Sequence, residues 1–121
     1  MAKIIPIRTI KDTRGDLTVI QDELPFEVKR IFYIYNSDGS ERGGHRHHKT
    51  IQAAICVSGE CKIFTNNGNV KQVFILNKPD ICLLLEPEDY HTMYDFANNA
   101  TLLVFASDKY DPKDYINEDY E

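Results

Sequence analysis

Apolar positions along the chain come in short runs rich in β-branched and aromatic side chains, at residues 17–20, 28–35, 51–57, 61–65, 70–76, 81–85 and 100–106. Runs of this length and make-up, bounded by turn formers, predict β-strands. The punctuation is Asp38-Gly39, Ser58-Gly59-Glu60, Asn66-Asn67-Gly68 and Lys78-Pro79-Asp80, residues that tolerate a positive φ or preset the backbone of a turn. Asn67-Gly68 is the sharpest and predicts a two-residue hairpin turn joining 61–65 to 70–76. No stretch before the last dozen residues repeats apolar positions at helical spacing, so the pattern predicts an all-β antiparallel sandwich or barrel. The tail after residue 106 is acidic and carries Tyr110, Tyr115 and Tyr120. It reads as a short helical turn or an extended arm whose aromatics dock on something.

Composition narrows the function classes. With 121 residues, 42% hydrophobic and 27% charged, the chain fits one globular domain over 1–121. No apolar run approaches the length of a membrane span. The N-terminal stretch has a cation but no sustained apolar segment, so an export signal is not expected and a cytoplasmic location is. A net charge of −5, with acids gathered in the tail, disfavours nucleic acid as a partner, yet local arginines suffice for one diphosphate. Cys56, Cys61 and Cys82 lack CxxC spacing and sit in apolar segments, which predicts buried thiols.

The chemistry concentrates on histidine. His45, His47 and His48 form one cluster and His91 stands alone. In an extended segment, side chains two residues apart share a face, so His45 and His47 project together and His48 points the other way. Imidazole titrates near neutrality, and two neighbours in different protonation states serve as acceptor and donor in one turnover.

The frame around them is more specific than the pair itself. Gly39, His45-Arg46-His47, Gln52 and Gly59 are spaced as in the first cupin motif, a resemblance that implies a cupin-type antiparallel β-barrel, or jelly roll. Metal-binding cupins carry glutamate where Gln52 stands, and a neutral amide is the poorer ligand for a divalent cation. The second motif is reduced to Glu86-Pro87-Glu88-Asp89-Tyr90-His91, without its usual glycine. A metal site built from His45, His47, His91 and Gln52 stays open as an alternative, that of a metal-dependent cupin enzyme.

Further blocks carry a closer resemblance. Arg42-Gly43-Gly44-His45-Arg46-His47, Asp12-Thr13-Arg14-Gly15-Asp16-Leu17, Arg30-Ile31-Phe32-Tyr33-Ile34, His91-Thr92-Met93-Tyr94-Asp95-Phe96, and Ala106 to Asp111 with Asp114-Tyr115-Ile116 together resemble the TDP-4-keto-6-deoxyhexose 3,4-ketoisomerases. These are the WxcM-like or FdtA-like sugar-nucleotide cupins. The resemblance implies conversion of TDP-4-keto-6-deoxyglucose to its 3-keto isomer without metal or organic cofactor, in a homodimer with exchanged N-terminal strands. It also implies a product that feeds an aminotransferase making 3-amino-3,6-dideoxyhexoses.

Moving a ketone from C4 to C3 takes a proton from C3, passes through an enediol and returns a proton to C4. By analogy with the family, His45 is the base and His47 relays a proton, with Tyr33 donating a hydrogen bond to the developing enolate oxygen. Arg42 is expected to reach the diphosphate or a sugar oxygen. Arg14 and His91, at the barrel mouth, are expected to line the sugar pocket and favour a galactose-like product, and Gln52 to orient the sugar. Gly44, where an aromatic is common, and Arg46, where a small residue is common, leave sugar selectivity open. A non-catalytic sugar-nucleotide binding module is the remaining alternative.

Overall fold

The computed structural model describes residues 1–121 and is built almost wholly of strands. They are β1 (Lys3–Ile5), β2 (Arg8–Asp12), β3 (Gly15–Val19), β4 (Arg30–Ile34), β5 (Arg42–His47), β6 (Gln52–Asn66), β7 (Lys71–Leu76), β8 (Cys82–Leu85), β9 (Tyr90–Ala106) and β10 (Tyr115–Ile116), with a 3-10 turn at Pro112–Asp114 before the last. Eight strands form one antiparallel sheet in the order β1-β8-β6-β9-β5-β10, with β4 added on β9 and β7 on β6, while β2 and β3 form a separate hairpin. The sheet curls into the expected cupin-type barrel. No helix is long and apolar enough to cross a membrane.

Two long strands make the curl. β6 and β9 pair from Gln52↔Ala106 to Asn66↔Tyr90, with register shifts between Cys56 and Lys62. Such bulges bend a strand and increase its twist, letting one strand serve two walls. Gly59 sits in the bulge at φ +68°, where a Cβ would lie 2.5 Å from the Ala97 carbonyl oxygen. Only glycine fits there. The Ser58-Gly59-Glu60 signal is thus a bend within a single strand, and the separate strands expected at 51–57 and 61–65 are one element. The Asn67-Gly68 turn also differs from expectation. The loop is four residues long, with Gly68 alone at positive φ and the Asn67 side chain accepting from the Asn69 and Val70 amides.

Residues 52–56 are buried on both faces of β6. Ala54 and Cys56 join Ile63, Leu76, Leu83 and Leu102 in the main core, whereas Ala53 and Ile55 join Ile5, Cys82 and Leu84 in a smaller one. The second cluster lies against Ile7, Ile20, Leu24 and Phe26 of the N-terminal segment. That two-sided burial explains the unbroken apolar run in the sequence. All three cysteines are buried free thiols, as expected.

Candidate active site

The site begins with a bulge in β5. Arg42 pairs with Met93 and Gly43 with Thr92, but His45 pairs with His91, so Gly44 is the extra residue. Gly43 and Gly44 take φ +85° and +82°, and a Cβ on Gly43 would lie 2.9 Å from the His91 carbonyl oxygen. The two glycines let β5 lie close on β9 and re-aim the next side chains of the strand. His45 and His47 then share one face, their ring centroids 5.1 Å apart, and His91 stands 5.1 Å from His45 and 6.0 Å from His47. His48 is exposed, as alternation requires. Arg46, on the opposite face, stacks on the Tyr120 ring at 4.0 Å and donates to the Glu118 carbonyl at 3.1 Å.

Beside His45 lies a cavity of about 330 Å³, walled by Arg30, Phe32, Tyr33, Arg42, Gln52 and Tyr115. It joins cationic, amide, phenol and imidazole groups in one apolar-floored space, the make-up of a small-molecule site. A larger cavity of about 550 Å³ runs between residues 20–28 and the outer face of the barrel, walled mostly by apolar groups such as Phe26, Ile31, Ile55 and Phe105. It holds no histidine, so the chemistry belongs to the smaller cavity.

The imidazoles are held neutral. Burial pushes His45 below its ordinary value, opposed by a backbone hydrogen bond at Gly43 and helped by the Arg30 charge. Burial, then the proximity of His45, lowers His47 to about 4, although Asp114 pulls the other way. Burial, then His45, lowers His91 to about 3. Near neutral pH all three therefore offer lone pairs, the state a general base needs. His91 Nδ1 pairs with the Asp89 carbonyl at 3.1 Å, which assigns its proton to Nδ1 and leaves Nε2 an acceptor. Nε2 of His47 and His91 and Oε1 of Gln52 are buried without a partner.

A latch from the tail fixes this wall. Asp114, buried in the 3-10 turn, accepts hydrogen bonds from the Thr50 hydroxyl and, at 2.9 Å, from the Lys49 amide. Burial raises its carboxyl, but these bonds and His47 outweigh that and hold it below the ordinary range. Tyr115 comes next in the chain, pairing with His47. The tail is thus both the helical turn and the extended arm of the two readings.

Not every expected residue is at the site. His45, Gln52 and Arg42 wall the cavity. His47 is behind them, 4% exposed. His91 is 1% exposed, so it backs the histidine pair from within the barrel rather than standing at its mouth. Tyr33 also walls that cavity, at its rim: on β4, Phe32 and Ile34 pack on the core, while Tyr33 is 60% exposed and stacked on Tyr35. Arg14 is elsewhere, at the tip of the β2–β3 hairpin, 88% exposed and bonded to Asp12 at 2.7 Å. Sequence reasoning missed Arg30 and Tyr115. Arg30 carries a signal in hindsight, since it precedes inward-facing Phe32 and Ile34 at period two.

Three imidazoles and Gln52 are also the groups that a metal would use. Yet no group of three or more His, Cys, Asp or Glu side chains is arranged to hold one, and Gln52 supplies only a neutral oxygen.

Comparison with known proteins bears on this site. A curated relative from Aneurinibacillus thermoaerophilus, TDP-4-oxo-6-deoxy-alpha-D-glucose-3,4-oxoisomerase, is 38% identical over 119 residues, covering 96% of this chain and 86% of its own. Among solved structures, the WlaRB TDP-quinovose 3,4-ketoisomerase of Campylobacter jejuni is 40% identical with a TM-score of 0.91, covering 97% of this chain and 92% of that one. A double mutant of the QdtA 3,4-ketoisomerase of Thermoanaerobacterium thermosaccharolyticum, in complex with TDP, is 38% identical with a TM-score of 0.93, covering 97% and 87%. The family model described as FdtA: WxcM-like, C-terminal, matches residues 1–121. With that match along its whole length, the chain belongs to the FdtA, WxcM-like C-terminal family.

Proposed function

We propose that this chain is a sugar-nucleotide 3,4-ketoisomerase that converts TDP-4-keto-6-deoxyglucose to the TDP-linked 3-keto isomer, one cupin domain over 1–121 carrying the activity. The observation that supports it best is a neutral His45 on the wall of a cavity shared with Arg30, Arg42 and Gln52. His45 takes the C3 proton and returns it at C4. Arg42 and Arg30 hold anionic or carbonyl oxygens, and Gln52 orients the ring. Buried, neutral His47 and His91 keep the surroundings of His45 uncharged. The relatives' names support the substrate class: an oxoisomerase of TDP-4-oxo-6-deoxyglucose and a ketoisomerase bound to TDP.

Arg14 enters this reading through a second copy. The β2–β3 hairpin stands apart from the eight-stranded sheet, and Ile10, Leu17 and Ile31 expose apolar surface. Exchange of N-terminal strands in a homodimer would cover that surface and carry Arg14 toward the partner copy's cavity, where with His91 it favours a galactose-like product. The product then passes to an aminotransferase that makes a 3-amino-3,6-dideoxyhexose, in the cytoplasm, for glycan or metabolite synthesis. The test is proton NMR of TDP-4-keto-6-deoxyglucose with the protein in deuterated water, with an aminotransferase to trap the product. Loss of the C3 proton and appearance of the 3-keto isomer are expected. Binding of the sugar nucleotide without turnover would favour a binding module, and turnover that requires stoichiometric metal would favour a metal-dependent cupin.

A further inference from the structure

The bulge that aims the histidines is also the loosest point of their support. Pairing between β5 and β9 ends at His45↔His91, just after Gly43 and Gly44, both at positive φ. Glycine restricts its backbone least, so two in a row leave the direction of residues 45–47 to be set from elsewhere. Inside the barrel His45 faces Arg30 of β4, His91 of β9, Tyr115 of β10 and His47 of its own strand, with the Tyr115 hydroxyl accepting from Arg30 at 3.3 Å. On the other edge of β5 the only strand is β10, two residues long, which pairs Tyr115 with His47 and Ile116 with Arg46. The Asp114 latch fastens one end of β10. What fastens the other end bears directly on the histidines.

Past β10 the tail straps the sheet. Glu118 accepts from Arg46 at 3.1 Å through its carbonyl, and the Tyr120 ring lies 4.0 Å from the Arg46 guanidinium. The Tyr120 hydroxyl donates to the Glu88 carbonyl at 2.7 Å, and the Asp119 carboxylate accepts from the Asn66 side-chain amide at 3.0 Å. A Cβ on Gly68 would lie 3.1 Å from the same ring, so the β6–β7 turn packs closely on it. These contacts join the end of β6, the segment leading into β9 and the middle of β5, three strands that are neighbours in the sheet. Arg46 stands between His45 and His47 and points the opposite way. Whatever holds its guanidinium therefore sets the roll of the strand at both imidazoles.

Resting on the ketoisomerase reading, we infer that Arg46 is a positioning residue for the isomerisation, clamped by Glu118 and Tyr120 of the tail so that His45 stays within reach of C3 and C4. Arg46 touches no substrate and acts only through the strand it holds. A misplacement of about 1 Å is enough to cost about 100-fold in rate, so a clamp outside the barrel acts on the chemistry inside it. A cation stacked on an exposed ring adds little stability, and its loss is therefore read in the rate before it is read in melting.

The test compares Arg46→Ala, Tyr120→Leu and their combination with TDP-4-keto-6-deoxyglucose as substrate. Each single variant is expected to lower kcat about tenfold while KM changes less than about twofold, and the pair to do no worse than either alone, since both undo one clamp. Tyr120→Phe keeps the stacked ring, loses only the bond to Glu88 and is expected to retain most of the rate. Titration of the imidazoles by proton NMR in the substrate-free protein gives a readout independent of turnover. Burial holds His45 below its ordinary value, so a loosened strand that admits water is expected to raise its midpoint in Arg46→Ala and leave it in place in Tyr120→Phe. A folded Arg46→Ala with unaltered kcat, or with an unmoved His45 midpoint, overturns the clamp, and Tyr120→Leu carries the same test if Arg46→Ala does not fold. Absence of isomerisation in the unaltered protein, with the midpoint still moved by Arg46→Ala, would instead overturn the ketoisomerase reading and leave the clamp on the histidines standing.

Discussion

The interior of the barrel divides into an apolar part, built on Ile63, Leu76, Leu83 and Leu102, and a polar part, built on His47, Gln52 and His91. Both are sealed from water and both sit on β5, β6, β8 or β9 and their neighbours. In the first, every large side chain packs on another apolar one. In the second, three polar atoms are buried without partners, each at a cost of about 1–3 kcal/mol. A barrel built for stability alone would fill that space with leucine. The difference shows where the fold gives up stability to hold neutral bases beside a cavity.

The largest break in this comparison is at the cavity wall. His45→Asn is expected to lower turnover about a thousandfold while the melting temperature barely moves, checked by NMR turnover assays and circular dichroism. Leu102→Ala should do the opposite. Its side chain is fully buried in the main cluster, so the loss is about 3 kcal/mol and about 10 °C in melting temperature, with turnover per folded molecule unchanged at low temperature.

Acid separates the two parts next. The unfolded chain protonates its histidines near 6.5, whereas folded His47 and His91 wait until about 4 and about 3. Between those limits the unfolded state binds more protons. Stability contributed by the neutral imidazoles is therefore complete above 6.5 and lost as pH falls below it, by about 1.4 kcal/mol per pH unit for each group. Urea melts across pH 4 to 7 measure the slope, and a flat series would contradict the burial argument. The smallest effect is expected at Gln52→Met, which removes the unpartnered Oε1 from a 2% exposed side chain. Stability should hold or rise by about 1 kcal/mol while KM for the sugar nucleotide rises.

Alternation and turn chemistry made the barrel legible, because most strands bury one face and end at glycine, asparagine or proline. They failed where those signals separate from geometry. Gly59 reads as a turn but bends an unbroken strand, since a bulge and a turn ask for the same backbone freedom. Residues 90–99 of β9 are too polar to announce a strand, for His91 is buried against the histidine pair and exposed Asp95 pairs with Lys62. Tyr115 was visible only as part of a tyrosine-bearing tail. Its meeting with Arg30 joins positions 85 residues apart, and no local pattern encodes that.

The ladder between β6 and β9 bears on how this chain reaches its native state. Gln52 finds its partner in Ala106, while Asn66 finds Tyr90, so the hairpin at 61–76 forms from near neighbours but the central pairing must first close a long loop. High contact order of this kind places folding in the millisecond-to-second range. During synthesis, the apolar edge of β6 must stay unpaired until β9 has emerged, which makes that interval the period of greatest exposure to aggregation.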